Sequence, residues 1–459
     1  MTRLRLLALI VATGTVVVIG AWAFKNSRRV DPPNIVVITL DTTRADHLGC
    51  YGYFRDTSPV IDELASQSIV FDRCTVPMAT TLPTHTSIFT ATYPIEHGVL
   101  ANINHGGTRF TPSPDLRSFP AICREAGYQT AAFISAVPVK KGSGMEIGFE
   151  VFDQPAARQR RAGATNKKVF EWLPNLDGRP YLLWVHYFDP HWPYSSDSVY
   201  ETDDGLEAYL AERQVPDTAP RPLVNQTEDS RFCTNSYDDE IRYMDSELGK
   251  LLERLEGLPG SDNTVLLLIG DHGDGLCQHG HAAHGRTWNE QLWAPMMIRV
   301  PDEPPRRVPQ TVSAVDALPT LLGLIDVPEL DVLLLQASGR DTLAAEFEPT
   351  PVFSQDSGRL ADAPNHRYSL TTGRWKYFSI RVSEDTVREE LYDLSTDPHE
   401  LHDLLAEVDP PADTLETLRS ALVHQIQAQQ QRAQELRRAG PAERDPELIR
   451  QLKSLGYVN

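Results

Sequence analysis

Three short stretches of the chain are hydrophobic at nearly every position rather than at alternate ones: Asn34 to Leu40, Tyr181 to Val185 and Thr264 to Ile269. Continuous aliphatic and β-branched runs of this length predict strands buried on both faces, as in a parallel sheet covered by helices. Each run stops at polar residues: Asp41 after the first, His186 and then Asp189-Pro190-His191 after the second, Gly270-Asp271-His272 after the third. Ligands of open α/β sheets bind just outside the carboxyl ends of the strands, so the three sets are expected to converge on one site.

Between the strands the period changes to that of a helix. Pro59 to Ser66 predicts a short amphipathic helix, and Tyr237 to Leu255 a long one with Ile241, Met244, Leu248, Leu251, Leu252 and Leu255 on one stripe. Its acids Asp238, Asp239 and Asp245 read as the solvated face. Ser195 to Glu228 is acidic, carries prolines and lacks a clear period, which predicts a surface insertion at a cleft rim. From about Pro351 the pattern breaks into short β-like pieces, Tyr368 to Leu370, Trp375 to Phe378 and Glu390 to Leu394. Asp413 to Arg438 then runs at helical spacing without Gly or Pro, predicting a helix that packs on the outside or meets a partner helix. The expected fold class is α/β: a large, mostly parallel sheet sandwiched by helices, with a smaller C-terminal α+β subdomain. The expected boundaries are an N-terminal signal or anchor over 1–29, a catalytic domain over 33–345, the subdomain over 346–410 and a helical tail over 411–459.

The N-terminus qualifies this picture. Arg3 and Arg5 precede an apolar run over residues 6–24, followed by Lys25, Arg28 and Arg29. A run of about 19 apolar or small residues is long enough to span a bilayer. Ala21-Trp22-Ala23 also offers a small-x-small cleavage site. The segment therefore reads as an export signal or as a membrane attachment, and the protein as exported, periplasmic or extracellular. The formal net charge of -20, with no sustained Lys/Arg stripe, argues against nucleic acid as a partner. An anionic substrate must then be captured locally, by a metal ion or a few cations in a cleft. The 5 cysteines are too few and too scattered for a disulfide scaffold or a zinc knuckle and read mainly as small buried hydrophobes.

Candidate chemistry gathers in three segments. Asp41 to His47 opens on a carboxylate at a strand end, which is a cap or a ligand. Gly270-Asp271-His272-Gly273-Asp274 exposes a carboxylate and an imidazole side by side in a Gly-flanked turn, a pair suited to a divalent cation that takes mixed oxygen and nitrogen ligands. His279, His281 and His284 follow closely. His279 and His284 are candidates for holding a transferred anion, and His281 is left as surface. Thr80-Thr81-Leu82-Pro83-Thr84-His85 precedes an apolar run. Such a cluster is an N-cap, or a hydroxyl placed for nucleophilic attack where the helix terminus favours incoming negative charge.

Taken in order from Asn34 to Ala406, these segments resemble the sulfatase branch of the alkaline-phosphatase superfamily. Asp41 with Leu48-Gly49-Cys50-Tyr51-Gly52 resembles the opening metal turn. Thr81-Leu82-Pro83-Thr84-His85 through Thr90-Ala91-Thr92-Tyr93-Pro94 and His97-Gly98 stands where sulfatases carry Cys/Ser-x-Pro-x-Arg. Asp189 to Tyr194 is similar to the mid-chain histidine motif, Gly270 to Gly273 to the second metal turn, and Trp375-Lys376 with Leu391 to Leu394 and Asp397-Pro398 to the C-terminal subdomain. There are departures. Thr81 occupies the position that becomes formylglycine and has no route to that aldehyde, His85 replaces the signature Arg, Thr42 the second Asp, His272 the Asn ligand, and Ser135 a Lys.

The resemblance implies one divalent ion (Zn, Mn or Ca) on Asp41, Thr81, Asp271 and His272, with Thr81 as nucleophile and no formylglycine. It implies that His191 protonates the leaving group or steadies the transferred oxygens, with His284 in the place of a substrate-binding Lys. His85, His279 and Arg44 complete the expected substrate contacts. The expected activity is hydrolysis of a small or glycan-linked anionic ester: a sulfate ester, a phosphodiester or a phosphonate monoester. An envelope phospho-alcohol transferase and a non-catalytic binding protein on the same fold are the alternatives.

Overall fold

The computed structural model describes residues 31–102, 109–156, 159–194, 199–221, 224–356, 366–383, 385–407 and 411–436. The expected signal or anchor over residues 6–24 lies outside the described residues. No helix among them is long and apolar enough to cross a membrane.

From Asn34 onward the chain forms one compact unit around a mixed sheet. The strands are β1 (Asn34–Leu40), β2 (Ile69–Thr75), β3 (Gln129–Phe133), β4 (Val151–Asp153) and β5 (Tyr181–Tyr187). After a separate hairpin of β6 (Thr218–Arg221) and β7 (Gln226–Asp229) come β8 (Thr264–Gly270), β9 (Trp293–Ala294), β10 (Met296–Arg299) and β11 (Arg306–Ser313). The order across the sheet is β11-β2-β10-β8-β1-β5-β3-β4, with β9 paired to β2. The three hydrophobic runs are thus immediate neighbours: β1 lies between β5 and β8 and parallel to both, with Leu40 opposite Tyr187 on one side and Gly270 on the other. β10 runs antiparallel to β8 and β2.

The runs are apolar throughout because both sheet faces are covered. Ile35 and Val37 of β1, with Leu182 and Trp184 of β5 and Val265, Leu267 and Ile269 of β8, enter one core with Leu82, Ile88 and Phe89 of the helix Thr81–Thr90. Their neighbours Val36, Ile38, Leu40, Leu183, Val185, Leu266 and Leu268 enter the opposite core against the helix Ser230–Glu256. Period-2 alternation of the backbone divides each run between two apolar layers.

The long helix begins earlier than its stripe suggests, and its expected stripe is buried. Its acids correct the expectation of a solvated face. Asp238 is fully buried and accepts hydrogen bonds from Tyr53 Oη and Arg55 Nη1, both at 2.7 Å. Asp245, 1% exposed, accepts from the backbone N–H groups of Val60 and Ile61 and so caps the helix Pro59–Ser66 from outside. A helix N-terminus needs acceptors, and a carboxylate on a neighbouring helix supplies them as well as a local cap would. Asp239 is half-buried and accepts from Val199 N–H.

Past the large sheet and its helices, β12 (Val352–Gln355), β13 (His366–Thr371), β14 (Trp375–Arg381) and β15 (Val387–Asp393) form an antiparallel sheet. The helix Ala412–Glu435 lays Leu415, Leu418 and Leu422 against Phe353, Leu370, Tyr377 and Leu391 of that sheet. The stretch read as an irregular insertion holds the helix Asp204–Glu212 and the β6–β7 hairpin. All 5 cysteines are free, Cys50 half-buried and the others buried.

Candidate active site and metal centre

Asp41 and Asp271 arrive together because β1 and β8 end together. Asp41 N–H donates to Tyr187 O at 2.9 Å, and Asp271 N–H to Leu40 O at 3.1 Å, so the sheet ladder continues until both carboxylates have left its edge. Thr42 then turns with φ of 49°, an unfavourable conformation for a β-branched residue. Three hydrogen bonds hold it there: Thr42 N–H donates to Asp271 Oδ1, Tyr237 Oη donates to Thr42 O, and Arg44 N–H donates to Tyr237 Oη.

Asp41, Asp271 and His272 are fully buried, and one donor atom of each lies within 4.8 Å of the other two. Among the described residues, both oxygens of Asp41 and Oδ2 of Asp271 lack a well-formed hydrogen bond. Burial raises the Asp41 carboxyl far above the usual carboxylate range, and the nearby Thr81 hydroxyl draws it only partly back. Burial and the neighbouring Asp41 charge raise Asp271 in the same way. Buried, facing carboxylates without donors are costly unless a proton or a cation joins them, so the donor set fits a divalent ion.

The imidazoles divide by hydrogen bonding. Nδ1–H of His272 donates to Gly273 O at 2.8 Å, which leaves Nε2 with its lone pair toward Asp271 Oδ2 at 3.7 Å and Thr81 Oγ1 at 3.5 Å. His85, His186 and Asp271 also come close enough to suggest a second ion. That set does not hold up. Nδ1–H of His85 donates to Thr81 O at 2.8 Å, while its Nε2 accepts from Thr39 Oγ1, which itself accepts from Trp184 Nε1. No lone pair remains. His186 accepts the Ser135 N–H at Nδ1, so its Nε2 carries the proton and points at Asp41 Oδ2 across 3.4 Å, orienting that carboxylate. Burial, with Arg160 adding to it, holds His186 down to about 3, consistent with a neutral ring.

Thr81 is fully buried and is the first residue of its helix, with Thr80 at the N-cap position. Asn102 Oδ1 takes the Leu82 N–H at 2.8 Å, fixing the first turn beside the carboxylates. Two more histidines face this point. His284 donates Nδ1–H to Ala79 O at 3.0 Å, and its ring lies 4.4 Å from that of His272 and 5.5 Å from that of His191. His191 stacks on Phe188 and donates to Trp192 O. Burial pushes both below the ordinary histidine value, His191 further because His284 adds to the effect.

Thr81, His191, His284 and the three acid and imidazole donors are therefore gathered at one place, with His85 behind Thr81. Arg44 and His279 are engaged elsewhere. Arg44 is 1% exposed and donates to both oxygens of Asp46, to Asp274 O and to Gln278 Oε1. His279 stacks on Trp288 at 4.0 Å and bridges Glu290 Oε1 and Glu400 O. Although burial opposes it, those acids raise His279 to about 9. His281 is half-buried.

One residue at the site, Arg221, escaped the sequence reading, and His186, named there as a polar residue ending its run, was given no role. His186 lies within a strand, and only its register opposite Thr39 brings it to Asp41. Arg221 ends β6 and is 5% exposed, with Nη2 3.8 Å from Asp274 Oδ2 and its guanidinium 5.2 Å from the Trp192 ring centre. Its Nε lies 3.8 Å from Glu228 Oε1, and among the described residues neither Nε nor Nη2 makes a hydrogen bond. An arginine in an acidic, aperiodic stretch gives no signal until the hairpin folds back over the site.

The family model described as Sulfatase matches residues 33–327, more than half of the chain. An uncharacterized sulfatase, YidJ, of Escherichia coli (strain K12) is 21% identical over 438 residues, covering 82% of this chain and 84% of its own. Among solved structures, a 2-O GAG sulfatase superposes with a TM-score of 0.69 at 20% identity, covering 91% of this chain and 96% of its own. The phosphonate monoester hydrolase of Agrobacterium radiobacter gives 0.64 at 19% identity, covering 86% and 96%.

Proposed function

The chain belongs to the sulfatase family, and from that premise we propose that it hydrolyses sulfate or phosphate esters, including phosphodiesters and phosphonate monoesters, through the Thr81 hydroxyl and without formylglycine. The observation that carries this reading is the position of Thr81 Oγ1: at a helix N-terminus, 3.5 Å from the bare Nε2 of His272 and beside three carboxylate oxygens that lack donors.

Asp41, Asp271, His272 and Thr81 would hold the divalent ion, which supplies charge that lowers the hydroxyl pKa and neutralises the transferred anion. A nitrogen ligand favours Zn or Mn over Ca. The protein performs the remaining work. Helix N–H groups at Thr81 favour the incoming anion. Thr81 gives its hydroxyl proton to Nε2 of His191 or His284, Oγ1 bonds to the sulfur or phosphorus, the bond to the substrate alcohol breaks, and the departing oxygen takes the proton from that imidazolium. Water then attacks the same centre, the bond to Oγ1 breaks, and Thr81 regains its proton.

Burial lowers both histidines, which favours the neutral ring that takes the Thr81 proton, and the substrate's negative charge favours the imidazolium that then donates it. Arg221, whose Nε and Nη2 make no hydrogen bond among the described residues and face Glu228 Oε1 and Asp274 Oδ2 only across 3.8 Å, is the cation placed to face that charge where Arg and Lys of the family pattern are missing. The 2-O GAG sulfatase among the structural relatives acts on a glycan, which favours a glycan-linked ester here.

The test is steady-state turnover of matched nitrophenyl sulfate, phosphate monoester, phosphodiester and phosphonate monoester after chelation and metal restoration. Thr81→Val, which keeps the side-chain shape, is expected to abolish turnover, and Thr81→Ser to retain part of it. Metal-dependent turnover surviving in Thr81→Val refutes the nucleophile. A wild type that binds metal but turns over none of the four esters refutes the hydrolase.

A further inference from the structure

The helix Thr81–Thr90 has a second feature at its opposite end, about 14 Å from Thr81 at ~1.5 Å rise per residue. There a half-open cavity of about 340 Å³ lies between the catalytic layers and the C-terminal helix, within the size range of small-ligand sites. Tyr93 and Glu96 line it from the turn after the Thr81–Thr90 helix, Asp316 and Arg340 from the loops after β11, and Gln429 and Arg432 from the helix Ala412–Glu435.

Gln429 is the unusual member. Leu415, Leu422 and Gln429 follow one another at heptad spacing, so a leucine at 429 would continue the buried stripe. The glutamine there is 2% exposed, and among the described residues neither its amide nitrogen nor its amide oxygen has a hydrogen-bond partner. Such an amide offers two N–H donors and a carbonyl acceptor, and leaving them unmade inside a protein is unfavourable.

The charges around it are already balanced. Glu96 accepts from Tyr93 N–H and Ser338 Oγ, both at 2.7 Å, and Asp316 accepts from the N–H groups of Ser313 and Arg340, both at 2.9 Å. Arg340 donates to Glu348 O and Thr350 Oγ1, and Arg432 to Leu335 O and Gln336 O. Burial raises both acids, Asp316 to about 6, so neither demands a cation. With two acids and two guanidinium groups offsetting one another, an ion of either sign meets an opposing charge. A hydroxyl both donates and accepts, which is what the Gln429 amide lacks, and the Tyr93 ring supplies an apolar surface for C–H groups.

We propose that this cavity binds an uncharged sugar residue, anchored by the amide of Gln429, at a site separate from the ester-cleaving centre. The proposal does not depend on the ester chemistry. Its ligand is a free monosaccharide or the terminal residue of a neutral glycan chain, since both present the same hydroxyls.

The test titrates the full-length protein with glucose, galactose and N-acetylglucosamine, and in a second arm with maltotetraose, by ligand-observed NMR and thermal shift. At least one of them is expected to bind saturably with a Kd on the order of 1 mM. Binding only in the second arm identifies a chain end, and binding in the first a free sugar; both support the site. Gln429→Leu, and Ala428→Trp at the exposed rim, are each expected to weaken binding about 10-fold or more while leaving nitrophenyl ester turnover unchanged. Should Gln429→Leu fail to fold, Ala428→Trp decides alone. No saturable binding by any of the four saccharides, or binding that both folded variants retain, overturns the proposal.

Discussion

Replacing Asp41 with asparagine should make the ion-free protein more stable and the ion-loaded protein relatively less so. The donor oxygens of Asp41 and Asp271 lie within 4.8 Å of each other. At an effective dielectric of about 20, two unit charges at that distance repel by about 3.5 kcal/mol. This is the stabilisation Asp41→Asn gains in a chelator at a pH where both acids are ionised, and it is an upper bound because the pair takes up a proton instead. A chain of this length unfolds with an entropy near 1 kcal/mol per degree, so the gain corresponds to roughly 4 °C in Tm. The sign with pH follows from the shifts. Both carboxyls are raised in the fold, so the ion-free wild type holds its stability below the unfolded carboxylate value and loses it as pH rises through the folded one. The advantage of Asp41→Asn therefore widens with pH. Ion at 100 times its Kd adds about 2.7 kcal/mol to the wild type, or ~3 °C. Asp41→Asn, with a ligand charge removed, should gain little. The assay is thermal unfolding in chelator and in Zn, Mn or Ca from pH 6 to pH 9. If Asp41→Asn is no more stable than wild type in chelator at high pH, or none of the three ions moves the wild-type Tm, the metal-centre reading fails.

Other expectations follow from the same geometry. Losing a charge-assisted contact of about 1.5–3 kcal/mol, Arg221→Met should lower kcat/KM by roughly 10- to 100-fold; an unchanged value removes Arg221 from substrate binding. His85→Phe, which takes from the Thr39 hydroxyl its acceptor and from the Thr81 carbonyl one of its donors, should cost about 2 kcal/mol in denaturant unfolding and lower kcat with KM preserved, whereas a rise in KM alone would restore a substrate-binding role. His279, raised to about 9, contributes stability that is complete below about pH 6.5 and lost as pH rises through 9, on the order of 3 kcal/mol. His279→Gln should flatten that slope, and an unaltered pH profile would show the imidazolium to be absent. Removing the acceptors that cap Pro59–Ser66, Asp245→Ala should destabilise by about 1 kcal/mol or more, and a neutral result would mean that water replaces them.

The fold was legible because its strongest signal is local. A strand buried on both faces must be apolar at successive positions, and the three runs that obey this rule are the three adjacent central strands. The polar residues that end those runs, Asp41, His186, Asp271 and His272, meet at one edge of the sheet for the same reason. The family motifs added Thr81, His191 and His284, which the fold gathers.

Pairing across the fold was not legible. Asp238 and Asp245 lie on the polar side of a helix stripe in sequence, and nothing local announces that Arg55 and the Pro59–Ser66 helix N-terminus will cover that side. Arg44 and His279 are residue types suited to anion binding, yet Asp46, Glu290 and Glu400 occupy them first. His186 and Arg221 gain their places through strand register and a folded-back hairpin. By itself the sequence determined which residues must leave water and where the strands end, since burial periodicity is a property of neighbouring positions. Which buried polar group meets which was decided only by the tertiary structure, because hydrogen bonds and ion pairs act over about 3–4 Å between atoms that can be far apart along the chain.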